Sequence, residues 1–264
     1  MGLKDGQNII LMIKKISKLS IIAFVLAACC MACGSVEEKV AKQEAPELVI
    51  HEEANRPARE LRVAFLVVDG IYNTELMAPY DIFQHSIFHT DPGMRVFTVG
   101  PTTDPVKTFE GLRVIPDYGY LTDSIPPIDV LVVASAEHSM DTDLQNVALI
   151  NFVREAGEQA QYVMSLCDGA FVLAHAGLVE GHESTTFPSD IPHYREMFPT
   201  LTVHENVSFV HDGKLITSAG GAKSYDAALY LAEYLYGRKA AQGIAGGLVI
   251  DWDIKNIAHH RVKQ

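Results

Sequence analysis

The sequence predicts an α/β protein with a mostly parallel sheet, because short apolar runs alternate with amphipathic stretches of helical spacing. The first run, at residues 61–68, is almost continuously apolar, which is typical of a parallel strand covered on both faces. Such alternation places helices on both sides of a single sheet. The predicted strands are 61–68, 95–99, 129–134 and 161–166, and the predicted helices between them are 74–86 and 141–158.

A hairpin and further helices are predicted in the second half of the chain. Asp212-Gly213 lies between two apolar runs within residues 207–218, and this dipeptide in such a setting is a strong hairpin signal. A helical stretch directly follows Cys167, and the last large helix is predicted at residues 224–236. These elements complete the pattern of an α/β domain.

Composition and charge narrow the possible functions. The 264 residues are 48% apolar and 20% charged, which is typical of a globular protein with one large domain or two small ones. The formal net charge is −12. A negative field repels phosphate backbones, so nucleic acid is not an expected partner.

The first 28 residues have the pattern of an export signal. Four lysines precede or flank an apolar run at residues 19–28, and ten residues are too few to span a bilayer about 30 Å thick. The run ends in Leu26-Ala27-Ala28-Cys29, which resembles the lipobox of bacterial lipoproteins. We therefore predict a signal peptide over residues 1–28, lipidation of Cys29, and a membrane-anchored lipoprotein on the exported side of the bacterial cell envelope.

Three further segments are expected after this signal. Residues 29–60 are acidic and contain few large apolar groups, which predicts a flexible tether. The folded domain is predicted at residues 61–250, followed by a C-terminal tail at residues 251–264.

Cys167 is the single cysteine of the predicted domain, and it lies between an apolar strand and an apolar helix. Small residues, Ser165 and Gly169, stand two positions to either side, which is typical of a nucleophile elbow with its tight turn. The N-terminus of the following helix would favour the thiolate and lower the thiol pKa. The alternative is an inert buried cysteine, which does not account for the small flanking residues.

These residues resemble the ThiJ/PfpI family of the class I glutamine amidotransferase-like superfamily. The resemblance implies a flavodoxin-like three-layer αβα sandwich, a homodimer, a small-molecule substrate or ligand, and no cofactor. It also implies that Glu75, the acidic residue after the first strand, hydrogen-bonds the nucleophile, with a shared proton that leaves Glu75 protonated. The resemblance covers about residues 60–250 and rests on 74–83, 165–169, 174–181, 184–186 and 217–221.

The sequence departs from the family pattern at two places. Phe187 follows Thr185-Thr186 where the family commonly has histidine, and His193 is the nearest alternative base, although a loop histidine is more often a surface group. Pro-Gly-Gly after the third major strand is also missing. We expect the backbone amides of Ala136 and Asp168 to bind an oxyanion instead.

A site without histidine resembles the isonitrile hydratase subgroup, which predicts Cys167, Glu75 and Asp168 as catalytic residues in hydratase or hydrolase chemistry on a small electrophile. Glutaminase activity is disfavoured because no histidine after Cys167 has glutamate two positions on. The alternative is a non-catalytic ligand or redox sensor of the same fold. No metal site is predicted, because the histidines are scattered and His259-His260 lie in the predicted tail.

Overall fold

The structure is a computed structural model in which residues 55–263 are described. The predicted signal peptide, Cys29 and most of the predicted tether lie outside the described residues. Within residues 55–263, no helix has both the length and the apolar character needed to cross a membrane.

A central sheet of eight strands forms the middle layer. The strands of the described residues are β1 (Leu61–Leu66), β2 (Met94–Gly100), β3 (Val106–Lys107), β4 (Arg113–Val114), β5 (Tyr118–Gly119), β6 (Val130–Val133), β7 (Tyr162–Leu166), β8 (Glu183–Ser184), β9 (Thr202–Val203), β10 (Phe209–Asp212), β11 (Leu215–Ser218) and β12 (His259–Arg261). The order in the sheet is β12-β10-β11-β7-β6-β1-β2-β5. All neighbours in it are parallel except β10 and β11, which form the predicted hairpin around Gly213. Short pairs β3–β4 and β8–β9 lie apart from the central sheet.

Helices cover both faces of this sheet, which confirms the predicted α/β class. They are α1 (Asn73–Gln84), α2 (Val147–Gln159), α3 (Gly169–His175), α4 (Ile191–Met197), α5 (Lys223–Tyr236) and α6 (Arg238–Gly247). In β6, Val130 and Val132 belong to the core under α1, α5 and α6, whereas Leu131 and Val133 belong to the core under α2 and α3. Both faces are buried, which explains why the central strands are continuously apolar.

The helix predicted at residues 141–158 is interrupted. A short 3-10 turn at Asp143–Gln145 precedes α2, which begins only at Val147. Asn146 separates the two, because its side-chain oxygen accepts a hydrogen bond from the Leu149 amide at 3.2 Å and caps the helix.

The tail predicted at residues 251–264 instead adds to the domain. Trp252 is buried and its Nε1 donates to Glu233, and β12 pairs in parallel with β10 at the edge of the sheet. The boundary predicted at residue 250 is therefore too early. This strand places His260 on a fixed backbone.

Candidate active site

Cys167 occupies a strained turn between β7 and α3. Its φ is 54°, in the left-handed region that costs a non-glycine residue roughly 1–2 kcal/mol. The turn is held on one side by the Cys167 amide, which donates to the Ser218 carbonyl at 2.9 Å. Such strain is typical of functional positions, and the predicted elbow geometry is present.

The small residues around the elbow are required by close packing. A Cβ at Gly169 would lie 2.1 Å from the carbonyl oxygen of Val133. A Cβ at Gly220 would lie 2.2 Å from the Cβ of Cys167, and Gly220 also has a φ of +76°. The end of β6 and the backbone after β11 therefore both press against the nucleophile turn.

Glu75 lies beside the nucleophile and is 5% exposed. Its two oxygens accept hydrogen bonds at 3.1 Å from the amides of Ser135 and Gly221, which fix the carboxyl between the ends of β6 and β11. The carboxyl is also close enough to the Cys167 thiol for its charge to raise the thiol pKa. Glu75 is therefore a buried residue close to the Cys167 thiol.

The second acidic neighbour of the sulfur is Asp168. The Cys167 thiol donates to Asp168 Oδ2 across 3.6 Å. The Oγ1 of Thr186 lies 3.1 Å from both Asp168 Oδ1 and the carbonyl oxygen of Cys167, so the Thr185-Thr186 motif fixes the aspartate. The sulfur thus lies between two carboxyl groups that arrive from different parts of the chain.

The two carboxyl groups beside the sulfur oppose ionisation of the Cys167 thiol. Burial raises the pKa of the Cys167 thiol, and the carboxylates of Glu75 and Asp168 raise it further, against the hydrogen bond from the Asp168 amide. This direction is opposite to the lowered thiol pKa expected from the helix N-terminus alone. Helix α3 has only seven residues, and burial beside two carboxylates outweighs its dipole.

Both carboxyl groups also hold protons more tightly than usual. Burial raises the pKa of Glu75, although hydrogen bonds from Gly221, Cys167 and Ser135 oppose it. Burial, with the charge of Asp190, raises the pKa of Asp168 to about 6. The thiol therefore keeps its proton at neutral pH, while Asp168 is mostly ionised.

One of the two predicted oxyanion donors is already engaged. The Ala136 amide donates to Ser139 Oγ at 2.8 Å, so it is not directed at a ligand of Cys167. The Asp168 amide faces the sulfur and lowers the thiol pKa. The engagement of Ala136 could have been suspected from the serine three residues later, since serine side chains commonly bond nearby backbone.

Tyr72 lies near the site and was not predicted to belong to it, whereas His193, the alternative base considered from the sequence, lies elsewhere. The phenol of Tyr72 has a raised pKa because of burial and the charges of Cys167, Glu75 and Asp168, and its ring packs on Phe109. His193 is half exposed, contacts Glu196 and packs against Phe171, so the structure does not bring it to the sulfur.

A separate group of side chains with metal-binding chemistry lies among the described residues. Glu183, His204 and His260 place one candidate ligand atom each within 4.8 Å of one another. The predicted absence of a metal site depended on His260 lying in a tail, and that premise is wrong.

Comparison with known proteins identifies relatives of several kinds. A family model described as the DJ-1/PfpI family matches residues 61–234. The chain is 30% identical over 183 residues to the isonitrile hydratase of Pseudomonas putida, a match that covers 69% of this chain and 75% of that protein. It is 25% identical over 189 residues to Protein dj-1beta of Drosophila melanogaster, a match that covers 71% of this chain and 96% of that protein. A match of 25% over 153 residues to the HTH-type transcriptional regulator GbdR of Pseudomonas aeruginosa covers 58% of this chain but 40% of that one.

Solved structures share the fold. The crystal structure of Drosophila melanogaster DJ-1beta superposes with a TM-score of 0.61 at 21% identity, covering 73% of this chain and 100% of that one. A ThiJ/PfpI family protein from Pseudomonas syringae gives a TM-score of 0.64 at 21% identity, covering 81% and 84%. At these identities the likeness establishes the fold. With the family model matching well over half of the chain, this protein belongs to the DJ-1/PfpI family.

Proposed function

We propose that this protein hydrates a small electrophilic molecule, of isonitrile type, through Cys167, Glu75 and Asp168. The observation that carries the proposal is the position of the Cys167 sulfur between two buried carboxyl groups with raised pKa values. Similarity to the isonitrile hydratase of Pseudomonas putida suggests the substrate class. The proposed ligand is a small molecule, and the chemistry uses only side chains of this chain.

The proposed first step transfers the thiol proton and forms a bond to sulfur. Glu75 takes the proton of Cys167 as the sulfur attacks the terminal carbon of the isonitrile, and it then delivers that proton to the same carbon. The product of this step is a thioimidate on Cys167. Glu75 suits this role because it is buried close to the sulfur and its own pKa is raised.

The proposed second step hydrolyses the adduct. Asp168, with a pKa of about 6, accepts a proton from water as the water oxygen bonds to the thioimidate carbon. Asp168 then passes that proton to the nitrogen, and the carbon–sulfur bond breaks as the hydroxyl group of the adduct gives the second water proton to the leaving sulfur. One isonitrile and one water become one N-substituted formamide, so atoms balance without an oxidant or reductant.

The test is turnover of a panel of alkyl and aryl isonitriles by the full chain, with the formamide detected by mass spectrometry. We expect product from the wild type and none from Cys167→Ala. As a matched control, Ser189→Ala changes an exposed hydroxyl two residues after Phe187 and should keep the wild-type rate. Product from Cys167→Ala, or none from the wild type across the panel, would reject the proposal.

A second candidate function is a redox or ligand sensor of the same fold. It is favoured by the burial of Cys167, which is 6% exposed, and by Phe187 at the position of the common histidine. Sequence similarity to a transcriptional regulator is compatible with it. A wild type that forms no formamide, yet is oxidised stoichiometrically at Cys167 by peroxide, would support this candidate instead.

We also propose that Cys29 is lipidated and anchors the protein in the cell envelope, on the basis of the Leu26-Ala27-Ala28-Cys29 sequence. We expect Cys29→Ser to prevent cleavage and acylation, which mass spectrometry of the membrane fraction detects as the loss of the lipid mass. Cys30→Ser is the matched control, because it changes the neighbouring thiol and should be acylated normally. Equal masses for the two variants would contradict the proposal.

A further inference from the structure

Three side chains from separate strands or strand ends meet at one edge of the domain. Glu183 lies in β8, His204 directly follows β9, and His260 lies in β12. The Nε2 atoms of His204 and His260 are 2.5 Å and 2.9 Å from the same carboxylate oxygen, Oε2 of Glu183. One oxygen and two imidazole nitrogens therefore converge on a single point.

The backbone around each of the three is fixed by pairing. In the β8–β9 pair, Glu183 is opposite Thr202, and the amide of His204 donates to the Ser184 carbonyl at 2.8 Å. In the central sheet, His260 is opposite Val210. Convergence of ligands from fixed elements is the condition that a metal site requires.

The relative position of the two imidazole rings is compatible with their binding one divalent cation together. The imidazole rings of His204 and His260 stack with centroids 4.0 Å apart and planes at 20°. Two imidazole nitrogens and one carboxylate oxygen form a donor set that suits zinc.

The surroundings of this cluster add negative charge and leave the three side chains accessible to solvent. Asp212 lies close by, since its Oδ2 accepts from the Glu183 amide at 2.9 Å and lies 3.2 Å from His182 Nδ1. The guanidinium of Arg261, the nearest fixed cation in sequence, is held over the Tyr234 ring at 5.0 Å. The side chains of His204, Glu183 and His260 are 27%, 32% and 36% exposed, so an ion can enter and a water molecule can complete a fourth position.

We propose that Glu183, His204 and His260 form a divalent metal site that takes Zn²⁺, with a fourth position open to water. Bond lengths of about 2.0–2.2 Å to zinc require the three ligand atoms to separate slightly, which side-chain rotation can supply. The ion would join β12 to the segment that continues into Thr185 and Thr186. Thr185 Oγ1 donates to the His204 carbonyl at 2.9 Å, and Thr186 contacts Asp168, so the metal would stabilise the support of the active site.

The test is equilibrium dialysis of the full chain against Zn²⁺, with the bound metal counted by mass spectrometry. We expect one ion per chain in the wild type and more than about tenfold weaker binding in Glu183→Gln, His204→Gln and His260→Gln. Zinc should also raise the melting temperature of the wild type and not of these variants. His138→Gln is the matched control, because His138 contacts a single carboxylate, Asp141, and should bind zinc as the wild type does.

Thiols outside the described residues are excluded as ligands by two further measurements. The full chain with Cys30→Ser and Cys33→Ser should keep the bound zinc. Substitution of Co²⁺ for zinc should give a spectrum without the strong near-ultraviolet absorption of thiolate ligands. Zinc binding equal in the wild type and the three ligand variants, zinc binding by none of them, or a thiolate spectrum would overturn the proposal. Cooperative melting transitions in the glutamine variants would show that they are folded, so that weaker zinc binding reflects the lost ligand.

Discussion

Replacing Glu75 with glutamine should accelerate alkylation of Cys167 at neutral pH and abolish turnover at the same time. After burial, the charge of Glu75 is the largest cause of the raised thiol pKa, so a neutral residue should lower that pKa. Turnover should fall by at least about 100-fold, because an amide cannot accept and return the thiol proton. Iodoacetamide labelling against pH, together with formamide release, measures both effects.

Glu75→Leu separates the charge from the hydrogen bond. It also removes the charge, but it offers no N–H group to the thiolate, so its thiol pKa should lie between those of Glu75→Gln and the wild type. It should unfold more easily than Glu75→Gln, because the amides of Ser135 and Gly221 both lose their acceptor. Each buried amide left without an acceptor costs about 1–3 kcal/mol.

Glu110→Gln is the control for a change of charge nearby. Glu110 is exposed and accepts from the Asn73 amide at the start of α1, the helix that carries Glu75. Its variant should keep the wild-type rate of formamide release. Identical thiol titrations in wild type, Glu75→Gln and Glu75→Leu would show that Glu75 does not influence Cys167. Slower alkylation in both Glu75 variants would show that the resting proton lies on Glu75, contrary to the proposed first step, in which Cys167 carries it.

Local patterns in the sequence were sufficient to predict the strand, turn and helix that form the nucleophile elbow. The apolar run of β7, Cys167 and the small residues Ser165 and Gly169 are consecutive or nearly so, and their arrangement follows from steric rules that act over a few residues. The central strands were predicted for the same reason, since burial on both faces requires continuous apolar runs. The resemblance to a family was needed for Glu75, which is far from Cys167 in the sequence.

The features that sequence reasoning missed depend on contacts between distant segments. The raised thiol pKa arises from burial and from Glu75, whose approach is set by Ser135 and Gly221 at the ends of two other strands. The cluster with His260 depends on β12 pairing with β10, and a three-residue strand at a sheet edge gives almost no periodic signal. Neither can be derived from local spacing.

Gly220→Ala should strongly destabilise the elbow. The new Cβ would lie 2.2 Å from the Cβ of Cys167 and 2.7 Å from its Cα and amide nitrogen, so the backbone of the nucleophile turn would have to move. We expect a loss of about 2–5 kcal/mol in the free energy of unfolding, the sum of left-handed strain and overpacking. Turnover should fall with it, since the displaced sulfur no longer lies between Glu75 and Asp168. Chemical denaturation and formamide release measure the two effects.

Gly221→Ala is the matched control, because Gly221 is the next residue and also has a positive φ, of +53°, but a Cβ there would meet nothing within 4 Å. Its amide still donates to Glu75, so the carboxyl should stay in place. This variant should therefore lose only the strain of a left-handed alanine, about 1–2 kcal/mol, and should keep most of its turnover. If the two alanine variants are equally stable and equally active, the backbone of β11 does not press on Cys167, and the sulfur must be positioned by α3 and Thr186 instead.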